Sequence, residues 1–200
     1  MVKVDEKFLE LEYCIRECNF KGTNDLLTSE ENCLYLDWDE NLEDYEPLLE
    51  QAIRFGNIDF INLFIEKGLH LPFWHLALES GLELATRLGK FEMAEILLAA
   101  GANPRKGRSE PPIIYASSSK NIEFVKLLIK SGADVNAPAE GGFTALMAAA
   151  ISGSLDMVQL LVENGAQVGT VCTDKQRTAI SLARYYGNEE VVAFLEAQQQ

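Results

Sequence analysis

The sequence is poor in the residues that usually carry chemistry. Its 200 residues include only two histidines, His70 and His75, and four cysteines, Cys14, Cys18, Cys33 and Cys172. Four thiols are too few for a disulfide scaffold of this length and suit reduced side chains, so a cytoplasmic setting is the expectation. No window approaches about eighteen unbroken apolar residues, which argues against a transmembrane helix. The opening MVKVDEKFLELEYC places acidic residues where a secretory signal needs an apolar stretch. No GxSxG, P-loop, HExxH or dinucleotide fingerprint occurs, so no enzyme is expected.

Positive charge is also scarce. There are 17 Lys/Arg against 31 Asp/Glu, a net charge of −14. Residues 1–50 hold fifteen acidic side chains against four basic, and residues 51–200 hold sixteen against thirteen. Such a chain is repelled by nucleic acid and by anionic lipid, so neither is expected as a partner. A basic protein is favoured instead, chiefly at the N-terminal end. The one dense basic spot is RKGR at 105–108, which suits a solvated loop tip or a contact with an acidic partner patch.

Cys14 and Cys18 lie four apart, and His70 and His75 five apart, in loose imitation of a zinc set. Fifty-one residues separate the two pairs, and small buried thiols with loop histidines account for them better. No metal and no cofactor is expected.

What the chain has is periodicity. Gly56, Gly89, Lys120, Gly153 and Gly187 each divide two helix-like runs, in steps of 33, 31, 33 and 34 residues. A second series, Gly68, Gly101, Gly132 and Gly165, keeps steps of 33, 31 and 33. Before each landmark of the first series stands an apolar residue with alanine three later: Leu49/Ala52, Leu82/Ala85, Ile113/Ala116, Leu146/Ala149 and Ile180/Ala183. That spacing sets both on one helix face, where alanine lets a neighbour approach. After each landmark comes a second run, such as IDFINLFI, FEMAEILL, IEFVKLLI and LDMVQLLV. These are apolar nearly all round, as in a helix buried on more than one side.

A helix, a tight turn, a second helix and a connector every ~33 residues resembles the ankyrin repeat. GFTALMAAAISGSLDMVQLLVENGAQV, KNIEFVKLLIKSGADVNA and GKFEMAEILLAAGANP carry the likeness most fully. It covers five repeats over 45–197. The family's Thr-Pro-Leu-His opening survives as Thr144-Ala145-Leu146-Met147 and Thr178-Ala179-Ile180-Ser181, and Pro111-Pro112 departs from the pattern. Its histidine is absent throughout, so the hydrogen bonds that residue makes between repeats must be lost or replaced. The resemblance implies an all-α solenoid of stacked helix-turn-helix units with hairpin-like connectors.

The expected organisation is a single domain over 1–200. Residues 1–44 form a degenerate N-terminal unit, with helices in FLELEYCIRECNF and NDLLTSE and a solvated connector over 37–47 onto which Trp38 and Tyr45 could clamp. Residues 45–175 form four repeats, and 176–200 a C-terminal cap. The cap follows from a pair seven residues apart, which is apolar in four repeats (Ile58/Ile65, Phe91/Leu98, Ile122/Ile129, Leu155/Val162) and becomes Glu189/Glu196 in the last.

The resemblance also implies a function. Partners of such stacks dock on a concave face lined by the first helices and on the connector tips. The matching positions here include Phe55, Arg87, Ile151, Tyr185 and Tyr186 on the face, and Trp74, Arg105, Phe143 and Arg177 at the tips. Tyr, Trp, Phe and Arg dominate interface hot spots. Phe55 and Leu88 could instead pack between repeats, and Tyr186 could belong to the core. The expectation is a non-catalytic protein–protein interaction module, adaptor or inhibitor, monomeric on its own. The competing expectation is an acidic nucleic-acid mimic, or a protein that sequesters basic partners, acting through residues 1–50.

Overall fold

The computed structural model describes residues 6–17, 19–26, 48–68, 74–107, 109–173 and 176–199. Its contacts sort into two units, Met1–Asn103 and Pro104–Gln200. The described residues are mostly helical and form no strand, only an isolated antiparallel bridge between Cys172 and Arg177.

In the first unit the helices are α1 (Glu6–Arg16), α2 (Phe20–Leu26), α3 (Leu48–Phe55), α4 (Ile58–Gly68), α5 (Trp74–Arg87) and α6 (Phe91–Ala99). They pair in sequence as hairpins. α1 then packs on α3 and α3 on α5, while α2 packs on α4 and α4 on α6. The second unit repeats the scheme with α7 (Pro112–Ser118), α8 (Ile122–Lys130), α9 (Ala145–Ser152), α10 (Leu155–Glu163), α11 (Ala179–Tyr185) and α12 (Glu189–Ala197). There α9 lies against both α7 and α11, and α10 against both α8 and α12.

The apolar–alanine pairs form the seam of each unit. All ten side chains, from Leu49/Ala52 to Ile180/Ala183, are buried. The second helices add Phe60, Phe64, Phe124, Val158 and Leu161, each sealed from solvent. Truncating one such side chain to alanine costs about 2–5 kcal/mol, because the cavity left behind only partly collapses.

The turn inside each hairpin is set by its landmark residue. Gly56, Gly89, Gly153 and Gly187 have φ between +66° and +76°, and Lys120 has φ +60° in the same place. A side chain in that left-handed region costs about 1–2 kcal/mol. The next helix is capped at once in three hairpins: Asn57, Asn121 and Ser154 accept from the backbone N–H of Phe60, Phe124 and Met157 at 3.2, 3.1 and 3.4 Å. Pro111 and Pro112 fit as N-cap and first residue of α7, where a missing N–H is harmless.

Three expectations are corrected. The second helix begins at Phe20 rather than Asn24, because Asn19 Oδ1 accepts from the Gly22 N–H at 3.0 Å and starts it early. Trp74, expected at a connector tip, already belongs to α5. So does His75, expected in a loop. The connector over 37–47, with Trp38 and Tyr45, lies outside the described residues.

Candidate protein-docking face

The face begins with how the repeats are tied, because that decides which polar groups remain for a ligand. The family's histidine position is held here by Glu50, Glu83, Ile114, Met147 and Ser181. Glu50 and Glu83 are buried. Glu50 accepts a hydrogen bond from Ser80 Oγ, thirty residues on, so a carboxylate links neighbouring repeats where imidazole is missing. Ser181 closes a capping box with Thr178 instead.

In the second unit the ties move to the connectors. Arg105 Nε donates to the Gly132 carbonyl at 2.9 Å. Asn136, at the matching place one repeat later, donates from Nδ2 to the Gly165 carbonyl at 2.9 Å and accepts from the Gln167 N–H at 2.8 Å. The Thr173 N–H and hydroxyl both donate to the Gly141 carbonyl, at 2.7 and 3.0 Å. Asn188 Nδ2 donates to the carbonyls of Ala150 and Ile151 at 2.7 and 3.1 Å. The bonds lost with the histidine are thus replaced by a different set of side chains.

With those ties made, the ends of the first helices are left to solvent. Phe55 is 54% exposed and Tyr186 53%, each just before its turn, and Tyr185 is 73% exposed. Leu88, Arg54 and Arg87 are exposed as well. Phe55 and Leu88 therefore do not pack between repeats, and Tyr186 is not core. Ile151 is half-buried. Ser118, Ser119 and Ser152 each turn the hydroxyl back onto a carbonyl of their own helix, at 2.9, 3.0 and 2.8 Å.

The connector positions divide. Phe143 is half-buried, and its carbonyl accepts from the Ala139 N–H at 2.8 Å. Arg105 is exposed, yet its guanidinium serves the tie to Gly132. Arg177 is half-buried, with its guanidinium carbon 5.4 Å from the centroid of Tyr185. Tyr185 and Tyr186 meet edge to face, centroids 5.2 Å apart and planes at 82°. Trp74 differs: it is 4% exposed, and its indole Nε1 has no hydrogen-bond partner among the described residues. An exposed contact at Trp74 is thereby withdrawn, because the side chain opens α5 facing the interior. Leu71, Phe73 and Arg108 lie outside the described residues.

Exposed apolar side chains that the sequence reading passed over are Tyr13, Leu76 and Val171. Val171 carries no sequence signal, since the bridge beside it at Cys172 shows only in the structure; Tyr13 sits in a helix whose amphipathic pattern does not single it out. For the zinc imitation, Cys14 is buried and His75 exposed, while Cys18 and His70 lie outside the described residues. Among the described residues no group of three or more metal-capable side chains assembles, and no helix is long and apolar enough to cross a membrane.

A family profile of ankyrin repeats in three copies matches residues 82–172 and 113–199. The chain belongs to the ankyrin-repeat family. An ankyrin repeat-containing protein of Treponema pallidum (strain Nichols) is 33% identical over 108 residues, 52% of this chain and 36% of that protein. The human ankyrin repeat and KH domain-containing protein 1 is 43% identical over 68 residues, 34% of this chain and 3% of that protein. The chain thus spans about a third of the first relative's length and a small fraction of the second's. As an ankyrin-repeat protein it carries a fold that generally mediates contacts between proteins.

Proposed function

We propose that this ankyrin-repeat chain is a non-catalytic adaptor or inhibitor that binds a partner protein through the exposed ends of its first helices. One observation carries the reading: at the same place before the turn, the first unit exposes Phe55 and Leu88, and the last repeat of the second unit exposes the Tyr185–Tyr186 pair. Aromatic and long apolar side chains held on rigid helix ends bury much area with little loss of rotamer freedom. The ties between repeats engage other groups, so these side chains are not needed to hold the stack. The cysteine usage favours a reducing compartment, and the chain acts as a monomer until it meets its partner.

The test is affinity capture from the source cell with wild type beside a Phe55→Ala, Tyr185→Ala, Tyr186→Ala triple variant. The expected outcome is a partner retained by wild type and lost by the variant, at unchanged melting temperature. A partner held equally by both sinks the reading.

A second reading has an observation of its own. The unit Met1–Asn103 holds twenty-one Asp/Glu against eight Lys/Arg, −13, whereas Pro104–Gln200 holds ten against nine, −1. A basic protein captured by the first unit is consistent with that split. Salt separates the two readings: charge-led capture collapses between low and high ionic strength, while aromatic docking weakens modestly.

A further inference from the structure

We propose that Arg177, which lies over the Tyr185 ring, is a recognition point for a single Asp or Glu carboxylate of the partner protein, next to an apolar residue seated on Tyr186. The proposal rests on the docking face above and deepens it by naming the chemistry of the occupant. It starts from a comparison among the described arginines of the second unit. Arg105 gives its Nε–H to the Gly132 carbonyl, and Arg184 pairs with Glu196 at 2.5 Å. Arg177 has only an aromatic partner among the described residues, the Tyr185 ring. Its backbone is fixed independently, because its carbonyl accepts from the Cys172 N–H at 2.9 Å across the bridge.

A guanidinium laid on a ring face is held in place while its N–H edges remain available. That planar fork matches a carboxylate bidentately, and because it is preorganised less freedom is lost on binding. The Arg177 cation already lies over the Tyr185 ring, 5.4 Å from its centroid, where a cation of the partner would otherwise be drawn. Field and neighbours select the size of the anion. The second unit is near neutral at −1, so one carboxylate is not driven off as it would be by the first unit at −13. The exposed Glu189 and Glu190, three and four residues beyond Tyr186, oppose a polyanion or a phosphate dianion. Tyr186 and the exposed Val171 supply apolar surface for the residue beside the acid.

The test uses the full-length chain and a random octapeptide display library, with parallel selections on wild type, Arg177→Lys, Arg177→Gln and Tyr185→Ala. Wild type is expected to enrich peptides with Asp or Glu beside an apolar residue, and Arg177→Gln to lose that enrichment. A peptide from the wild-type selection is then synthesised together with its amide counterpart, Asp→Asn or Glu→Gln. Loss of a charge-assisted hydrogen bond lowers affinity by about tenfold or more. That loss is expected for the amide peptide on wild type, and for the acidic peptide on Arg177→Gln. The amide peptide is expected not to distinguish wild type from Arg177→Gln. Circular dichroism of each variant confirms that the fold is kept. Failure to enrich acidic peptides on wild type, including recovery of none, overturns the proposal. So do peptides that depend on Tyr185 but not on Arg177, although these leave the docking face standing. Peptides bound equally by wild type, by each of these variants and by the Phe55→Ala, Tyr185→Ala, Tyr186→Ala triple variant overturn both.

Discussion

Lys120 holds a backbone φ of +60° at a position that four sister repeats give to glycine. Strain there is about 1–2 kcal/mol, and glycine's larger unfolded-state entropy returns about 0.4–1 kcal/mol of it. Lys120→Gly is therefore expected to raise stability by up to about 1 kcal/mol, read as an upward shift in thermal midpoint. Gly153 shows the converse. Its φ is +72°, and an added Cβ would lie 2.5 Å from Asn188 Oδ1. Gly153→Ala should destabilise by roughly 2 kcal/mol or more, combining left-handed strain with displacement of Asn188. In a double-mutant cycle Asn188→Ala should recover part of that loss, since the clash disappears with the amide. Additive penalties in chemical denaturation would show that Asn188 is not the obstacle. Single residues also mark where sequence reading reached its limit. The turn at Lys120 was legible from its place in the period, whereas Trp74 looked like an exposed loop aromatic because nothing before it signals that α5 has begun.

At the scale of elements, the hairpins were legible because the Leu/Ile–Ala pairs and the all-apolar second helices repeat together, and every one of those paired side chains is buried. The ties between hairpins were not. Arg105, Asn136 and Asn188 bond to backbone carbonyls of another repeat, and carbonyls leave no trace in a residue pattern. The early start of α2 was missed for a related reason, as it depends on one Asn19 side chain meeting one N–H. Asn136→Ala removes two bonds at an exposed site and should cost about 1–2 kcal/mol. Hydrogen exchange at Gln167 should rise with it, since that amide loses its acceptor; unchanged protection at Gln167 would count against the tie.

For the molecule as a whole, the repeat architecture followed from its period, but the docking face could only be narrowed. Identity at Phe55, Tyr185 and Tyr186 suggested an interface; exposure distinguishes them from core. The apolar pair on the second helices is half-buried or at the edge of exposure in four repeats, and its last counterpart, Glu189/Glu196, is exposed. Replacing both glutamates with leucine also removes the ion pair to Arg184. The double variant is expected to self-associate, seen by sedimentation velocity as a concentration-dependent dimer or larger species. A strictly monomeric species at high concentration would argue that this end of the array is not kept apart by charge. Within the second unit, the turn positions ahead of the tyrosine pair form a plainer strip. Ser118, Ser119 and Ser152 spend their hydroxyls on carbonyls of their own helices, so they neither tie repeats nor reach outward. Such positions are open to rewriting: bulkier or charged side chains placed there could redirect partner choice while the scaffold beneath stays as it is, which makes the strip a natural starting place for altering selectivity.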